Sequence, residues 1–241
     1  MPDAKLEAYI NGVAASLGDG RAEVQEALAL IQKQAPTTAN AQPLQLLALR
    51  RYLRLGGKQV VAQWAWTAEE QRRQLHDGTA KELYQRAAEV QKDFKEVNHG
   101  YTLGITPLRS LAKQVKLWND NDTVQRAARQ LAKDMLDLLD KSEYPNPPTG
   151  QSTTQFGTSL RSAVVTPEPS NAAPGLSNHG RGTAVDFVVM RAGKVIADIK
   201  TEQIASVWQQ GGWEKKLIAA VKDRLKGPLP KPYEPWHWEL P

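Results

Sequence analysis

Four side chains in this sequence have the types and spacing to hold a metal ion and to work on a water molecule beside it. His179 and Asp186 lie within Ser177-Asn178-His179-Gly180-Arg181-Gly182-Thr183-Ala184-Val185-Asp186, and Glu234 and His237 within Tyr233-Glu234-Pro235-Trp236-His237-Trp238-Glu239. Two imidazoles, one carboxylate and a separate glutamate are the minimum set for a catalytic zinc site with three protein ligands and a general base. Cysteine is absent, which removes disulfides, thiolate nucleophiles and cysteine-based metal sites and leaves His, Asp and Glu as the only strong ligands. Of the four histidines, His76 and His99 lack such surroundings and read as surface or core residues. Ser177 shows no Ser-His-Asp logic around it, and Gly180-Arg181-Gly182 is a weak phosphate-loop signal without a following helix.

These side chains need elements to position them. Gly180 and Gly182 allow a sharp turn, with a positive φ or a close backbone approach at Gly182, before an expected strand from Ala184 to Met190. Alternation along that strand puts Ala184 and Asp186 on one face. Val185, Phe187 and Val188 predict burial, and a buried carboxylate needs a partner. His237 comes from a separate strand, approached through the extended Gly227-Pro228-Leu229-Pro230-Lys231-Pro232. Trp236 and Trp238 read first as residues that pack that strand, and one of them as a groove-lining candidate. Glu239 is a carboxylate that competes with Glu234.

Upstream, nearly everything from Ala4 to Asn98 reads as four or five helices, with breaks at Gly18 to Gly20, Ala35 to Asn40 and Gly56-Gly57. Thr67-Ala68-Glu69-Glu70 has capping-box spacing, and Leu83, Ala87, Val90, Phe94 and Val97 recur on one helical face. His99-Gly100 and Gly104 mark a boundary between a helical region over 1–99 and a second domain over 100–241. Thr106-Pro107 is the expected start of a helix carrying Arg109, Ser110 and Gln114, and a further helix follows from Asp122 to Lys141. After the proline-rich loop Tyr144 to Gly150, strands are expected at Ser159 to Thr166 and, beyond a hairpin turn at Gly193-Lys194, at Val195 to Ile199. A last helix is expected from Trp213 to Leu225.

The two motifs resemble those of the VanX and VanY type zinc D-alanyl-D-alanine peptidases, which share a fold with the Hedgehog signalling domain. Ser177, His179, Gly182, Ala184 and Asp186 meet the fixed positions of the first family motif, and Glu234, Pro235, Trp236 and His237 those of the second. The resemblance implies an α+β fold, a small antiparallel sheet with helices, holding one zinc ion through His179, Asp186 and His237, with Glu234 as the catalytic base. It further implies an upstream Arg-Ser segment and a Gln that shape the pocket, with the arginine polarising the scissile carbonyl. Arg109, Ser110 and Gln114 match best, although Pro107-Leu108 replaces the usual Gly-Tyr, and Arg161 is a rival for the arginine. Ser177 takes a substrate-contacting or structural role, and Trp236 a place beside the substrate.

The expected activity is hydrolysis of peptidoglycan stem peptides, by a D,D-carboxypeptidase or D,D-endopeptidase. An L-alanyl-D-glutamate endopeptidase of the endolysin or secreted-effector type and a non-catalytic zinc-bearing binding module remain as alternatives. Retention of Glu234 argues against the binding module, since a structural zinc site needs no base. Net charge +5 and pI near 9.3 suit an anionic partner such as cell-wall polymer, a membrane surface or nucleic acid. The basic residues are interleaved with acidic ones, however, and nothing further supports nucleic-acid binding. No hydrophobic run reaches membrane-spanning length. Met1 to Gly20 lacks the pattern of a secretory signal. Action at the cell wall, in the periplasm or outside the cell, then calls for export as phage or secretion-system cargo, or for a signal removed before Met1. The first 99 residues match no family, and the roles expected of them are packing against the catalytic domain, narrowing its groove, or contact with a partner or the wall.

Overall fold

Helix caps and breaks set the elements of the first hundred residues. The computed structural model describes residues 3–106 and 108–241. Asp3 caps α1 (Ala4–Ala15) by accepting from the Leu6 N–H, and Thr37 caps α3 (Thr38–Leu55) through the Asn40 N–H. Between them lies α2 (Arg21–Gln34), and α4 (Gly57–Gln63) follows the positive-φ Gly56. Thr67 caps α5 (Ala68–Asp77), but the capping box is only half made, because Glu70 turns to Arg73 and Gln74. Gly78 separates α5 from α6 (Thr79–Val97), so this stretch holds six α-helices rather than four or five.

The chain divides by its contacts into two compact units, and the division is not a single cut near residue 99. One unit comprises Met1–Ala65 and Ser110–Ser177, the other Trp66–Arg109 and Asn178–Pro241. The first is helical, built from α1 to α4 with α7 (Leu111–Asp120), α8 (Asp122–Leu139) and α9 (Gly150–Ser162). Its core includes Tyr9, Ile10, Val24, Leu46, Tyr52, Leu131 and Phe156.

Two expectations in this unit are corrected. Ser110, not Thr106, caps the helix that carries Gln114, accepting from the Lys113 N–H, so Arg109 lies before the helix; Pro107 lies outside the described residues. Ser159 to Thr166 is not a strand. Its first residues are the last turn of α9, which a Thr149–Ser152 capping box starts and which buries Phe156 and Leu160, four residues apart, on one face.

The second unit is α+β. Its centre is β2 (Ala184–Arg191), paired antiparallel with β1 (Tyr101–Ile105), β3 (Lys194–Ala197) and β6 (His237–Glu239). Strand β1 was not expected, since Gly104 reads as a break. In the structure Gly104 faces Val188, and a Cβ there would come within 2.8 Å of Val188 Cγ2 and 2.9 Å of Met190 Sδ, so glycine lets the strands close. A short hairpin, β4 (Leu229–Pro230) with β5 (Tyr233–Glu234), leads into β6.

Helices α6 and α10 (Trp213–Val221) and a π-helical segment (Ile204–Gln209) supply apolar side chains to the same core. Leu83, Ala87, Val90 and Phe94 of the predicted α6 stripe are buried there with Phe187, Val189, Trp208 and Trp236, while Val97 is exposed. This packing is why α6 belongs with the sheet although it precedes residue 99. Among the described residues, no helix is long and apolar enough to cross a membrane.

Candidate metal centre

Chain geometry around Gly182 delivers the first two candidate ligands. His179 sits in a single 3-10 turn (Asn178–Arg181), and Gly182 follows at φ +60. A Cβ on Gly182 would come within 2.6 Å of Ala80 Cβ and 2.9 Å of the Trp66 ring, so both the conformation and the packing require glycine. The chain then enters β2, where two hydrogen bonds to Thr106 fix the Asp186 backbone: its carbonyl accepts from the Thr106 N–H at 3.0 Å and its N–H donates to Thr106 Oγ1 at 3.4 Å. Directly opposite Asp186, across the antiparallel ladder, stands His237 of β6. The Phe187 N–H donates to the Trp236 carbonyl at 3.0 Å and holds that register.

The three side chains converge. His179 Nε2 lies 3.1 Å from His237 Nδ1 and 3.2 Å from Asp186 Oδ1, and His237 Nδ1 lies 3.0 Å from Asp186 Oδ1. All three residues are buried, and this group could hold a metal ion. The triangle is close to what a divalent ion needs, since donors about 2.0–2.1 Å from a tetrahedral zinc stand about 3.3 Å from one another.

The hydrogen-bond inventory supports the same fit. His237 Nε2 lies 3.0 Å from Glu239 Oε1, which also accepts from Asn178 Nδ2 at 2.8 Å. An ionised carboxylate can only accept, so neutral His237 carries its proton on Nε2 and turns the lone pair of Nδ1 toward Asp186 Oδ1. A lone pair facing a carboxylate oxygen in a buried site needs a cation between them. Without a metal, a proton takes that place. Burial opposes a charge on His237, but hydrogen bonds to Asp186 and Glu239 outweigh it and raise its pKa to about 9.

Burial has the upper hand at His179 and lowers its pKa despite Asp186. At Asp186 burial opposes ionisation, yet hydrogen bonds from both histidines, aided by the Arg109 charge, hold the carboxyl well below the usual carboxylate range. Arg109 donates through Nη2 to Asp186 Oδ2 at 2.5 Å, and its backbone N–H donates to the His179 carbonyl at 3.3 Å.

Glu234 closes the group. Its Oε2 lies 3.9 Å from His237 Nδ1, outside the triangle, and its side chain is 29% exposed. Partial burial raises its pKa; His237 and Arg109 counteract this and Asp186 reinforces it. The structure therefore sets a part-buried carboxylate with a raised pKa beside three buried ligand atoms.

The remaining sequence candidates are placed as follows. Ser110, Gln114, Arg161 and Ser177 belong to the helical unit. Ser110 caps α7, and Gln114 Oε1 accepts from the N–H groups of Gly175 at 3.0 Å and Ser177 at 3.4 Å. Arg161 is exposed in the last turn of α9, its carbonyl accepting from Arg54 Nε. Trp236 is 4% exposed and packs against Trp208 with ring centroids 5.9 Å apart, a core position. His76 and His99 are exposed.

Sequence reasoning missed Glu239, weighing it only as a competitor of Glu234. The signal was there: His237 and Glu239 are two apart on a strand and so share a face. Comparison of the chain with protein-family models, with curated proteins and with solved structures finds no match.

Proposed function

We propose that the protein is a zinc metallopeptidase of the VanX and VanY kind, with the Hedgehog-like D,D-peptidase fold in its α+β unit, and that it hydrolyses peptidoglycan stem peptides at the cell wall as a D,D-carboxypeptidase or D,D-endopeptidase. The observation that carries this reading is the juxtaposition of the His179, Asp186 and His237 ligand atoms with Glu234, 3.9 Å from one of them. The agreement of both sequence motifs, in order, with that family supports it.

His179 Nε2, Asp186 Oδ1 and His237 Nδ1 would hold the ion. Zinc bound there would supply Lewis acidity toward a peptide carbonyl and acidify a water. Glu234 takes the proton of the attacking water at Oε2 and delivers it to the leaving amine, and its raised pKa moves it toward the range where both transfers are efficient. Glu239 and Asn178 hold the His237 ring in the tautomer that frees Nδ1. Arg109 occupies Asp186 Oδ2 and leaves Oδ1 for the centre; by the family resemblance its positive charge would polarise the scissile carbonyl. Between Arg109 and Arg161, Arg109 is the one that touches the cluster, and we assign it the pocket role.

A cleft of about 440 Å³ lined by Gln71, Arg72, Tyr84, Ile105 and Leu108 opens on the α+β unit, next along the chain to Thr106 and Arg109. Its wall is largely apolar and carries one basic group, Arg72.

Mass spectrometry of purified muropeptides incubated with the protein, with and without a chelator, tests the proposal. Chelator-sensitive loss of a terminal D-alanine identifies a carboxypeptidase. A chelator-sensitive cut within the stem or the cross-bridge identifies an endopeptidase, and a cut between L-alanine and D-glutamate the endolysin-type activity. No metal-dependent product from any muropeptide refutes the peptidoglycan reading and leaves a zinc-bearing binding module or a peptidase of non-wall peptides.

A further inference from the structure

Three arginines of one helix line a polar cavity in the helical unit, distant in sequence from every residue of the metal centre. Arg50, Arg51 and Arg54 of α3 border a space of about 210 Å³ with Trp118, Glu168 and Asn171. Arg50 is 8% exposed, deeper than an arginine is ordinarily found. Its Nε donates to the Ala163 carbonyl at 2.8 Å, and Arg54 Nε donates to the Arg161 carbonyl at 3.1 Å.

Both carbonyls lie at the C-terminal end of α9, so these two bonds also cap a helix end, and capping alone could explain two arginines. It does not explain the rest. Capping uses one N–H of each guanidinium, and among the described residues no carboxylate lies within ion-pair distance of Arg50, Arg51 or Arg54. Burial and the neighbouring charge of Arg54 depress the pKa of Arg50, which Glu168 opposes and Arg51 reinforces. A buried cation crowded by like charges in a polar cavity is costly unless an anion joins it.

We propose that this cavity is a binding site for a dianionic phosphate group. Three guanidinium charges against the single carboxylate of Glu168 leave two positive charges, and a phosphate monoester carries about −1.5 to −2 at neutral pH. With Nε tied to a carbonyl, Arg50 and Arg54 are held in orientation and keep their terminal N–H groups for forked hydrogen bonds, the geometry in which arginine binds phosphate oxygens. Arg51, exposed at the rim, completes the charge. The site is independent of the metal centre and of the peptidase reading.

Titration of the intact protein with inorganic phosphate at constant ionic strength, followed by calorimetry and by NMR of the arginine side chains, tests the site. Saturable one-to-one binding that shifts the Arg50 Nε–H resonance is expected, with acetate much weaker. Inorganic phosphate should lose affinity as the pH falls below its second pKa of about 7, and a monoester below about 6, while sulfate, which stays a dianion, should not. A simple sugar phosphate binding as well as inorganic phosphate identifies a monoester ligand; exclusion of the ester identifies the free ion.

The double variant Arg51→Gln, Arg54→Gln leaves the buried Arg50 in place. It should weaken phosphate binding about tenfold or more, the loss expected for one or two charge-assisted hydrogen bonds. Binding no stronger than that of acetate, or equal binding by the folded double variant, overturns the proposal.

Discussion

Asp186 and His237 stand directly opposite each other across the antiparallel pairing of β2 and β6, with Asp186 Oδ1 3.0 Å from His237 Nδ1. Opposed residues of an antiparallel pair bring their Cβ atoms within about 5.5 Å, so the ladder itself presents two candidate ligands to one point. His179 is then brought in by the turn at Gly182, and the chain needs no loop of its own to gather the set.

One divalent ion per chain is the first expectation. Zinc should bind with a stoichiometry of one, and His179→Ala or His237→Ala should abolish it, since two remaining ligands make a weak site. Elemental analysis after dialysis against limiting zinc measures this. A His179→Ala protein that keeps a full equivalent would place the metal elsewhere.

Glu234→Gln separates chemistry from metal binding. Glu234 lies outside the ligand triangle, so the variant should retain its zinc. Hydrolysis of muropeptides should fall by about 10²–10⁴-fold, the contribution of a positioned general base. Unchanged turnover in a metal-loaded variant would remove Glu234 from that role.

Glu239→Gln tests the orienting bond to His237 Nε2. An amide in place of the carboxylate weakens the preference for the tautomer that frees Nδ1, and zinc affinity should drop about 10–100-fold, as for other partners of metal-bound histidines. Competition with a chromophoric chelator reads the change.

Zinc affinity and metal-free stability should respond to pH in opposite directions. The pKa of His237 is raised from 6.5 to about 9, so the stability its proton contributes is complete below about pH 6.5 and is lost as the pH rises through about 9. That same proton must leave for zinc to bind. His179, with a lowered pKa, is already neutral across this window. The gap in melting temperature between zinc-loaded and chelator-treated protein should therefore widen from pH 6.5 to 9.

Gly182→Ala should destabilise the protein by about 1–3 kcal/mol, the cost of a side chain forced into a left-handed conformation, with the clash against Ala80 and Trp66 added. Because the turn at Gly182 aims His179, zinc affinity should fall with it. Thermal unfolding and zinc titration of the same sample check both.

How much of this was legible in the sequence follows from what each feature depends on. His179, Asp186, Glu234 and His237 announce themselves by type and spacing, and β2 by its run of apolar and β-branched residues, because a ligand motif and a strand are local properties. The left-handed Gly182 follows from the same local logic. Local signals misled where two readings share a composition: Ser159 to Thr166 has the small and β-branched residues of a strand, and only the cap at Thr149 and the buried Phe156 and Leu160 make its first half a helix. Gly104 read as a break because a glycine's neighbours across a sheet are invisible in its own segment.

The sequence by itself picked out the candidate ligands His179, Asp186 and His237, the nearby Glu234 and the apolar stripe of α6. Only the tertiary structure decided that β2 and β6 align Asp186 with His237, and that Glu239 rather than solvent meets His237 Nε2. It also decided that Arg109 and His179, separated by the whole Ser110–Ser177 excursion, are joined by a backbone hydrogen bond. The physical reason is that register, tautomer and loop closure are set by pairings between distant segments, whose energies are read from contacts in space and not from the order of residues along the chain.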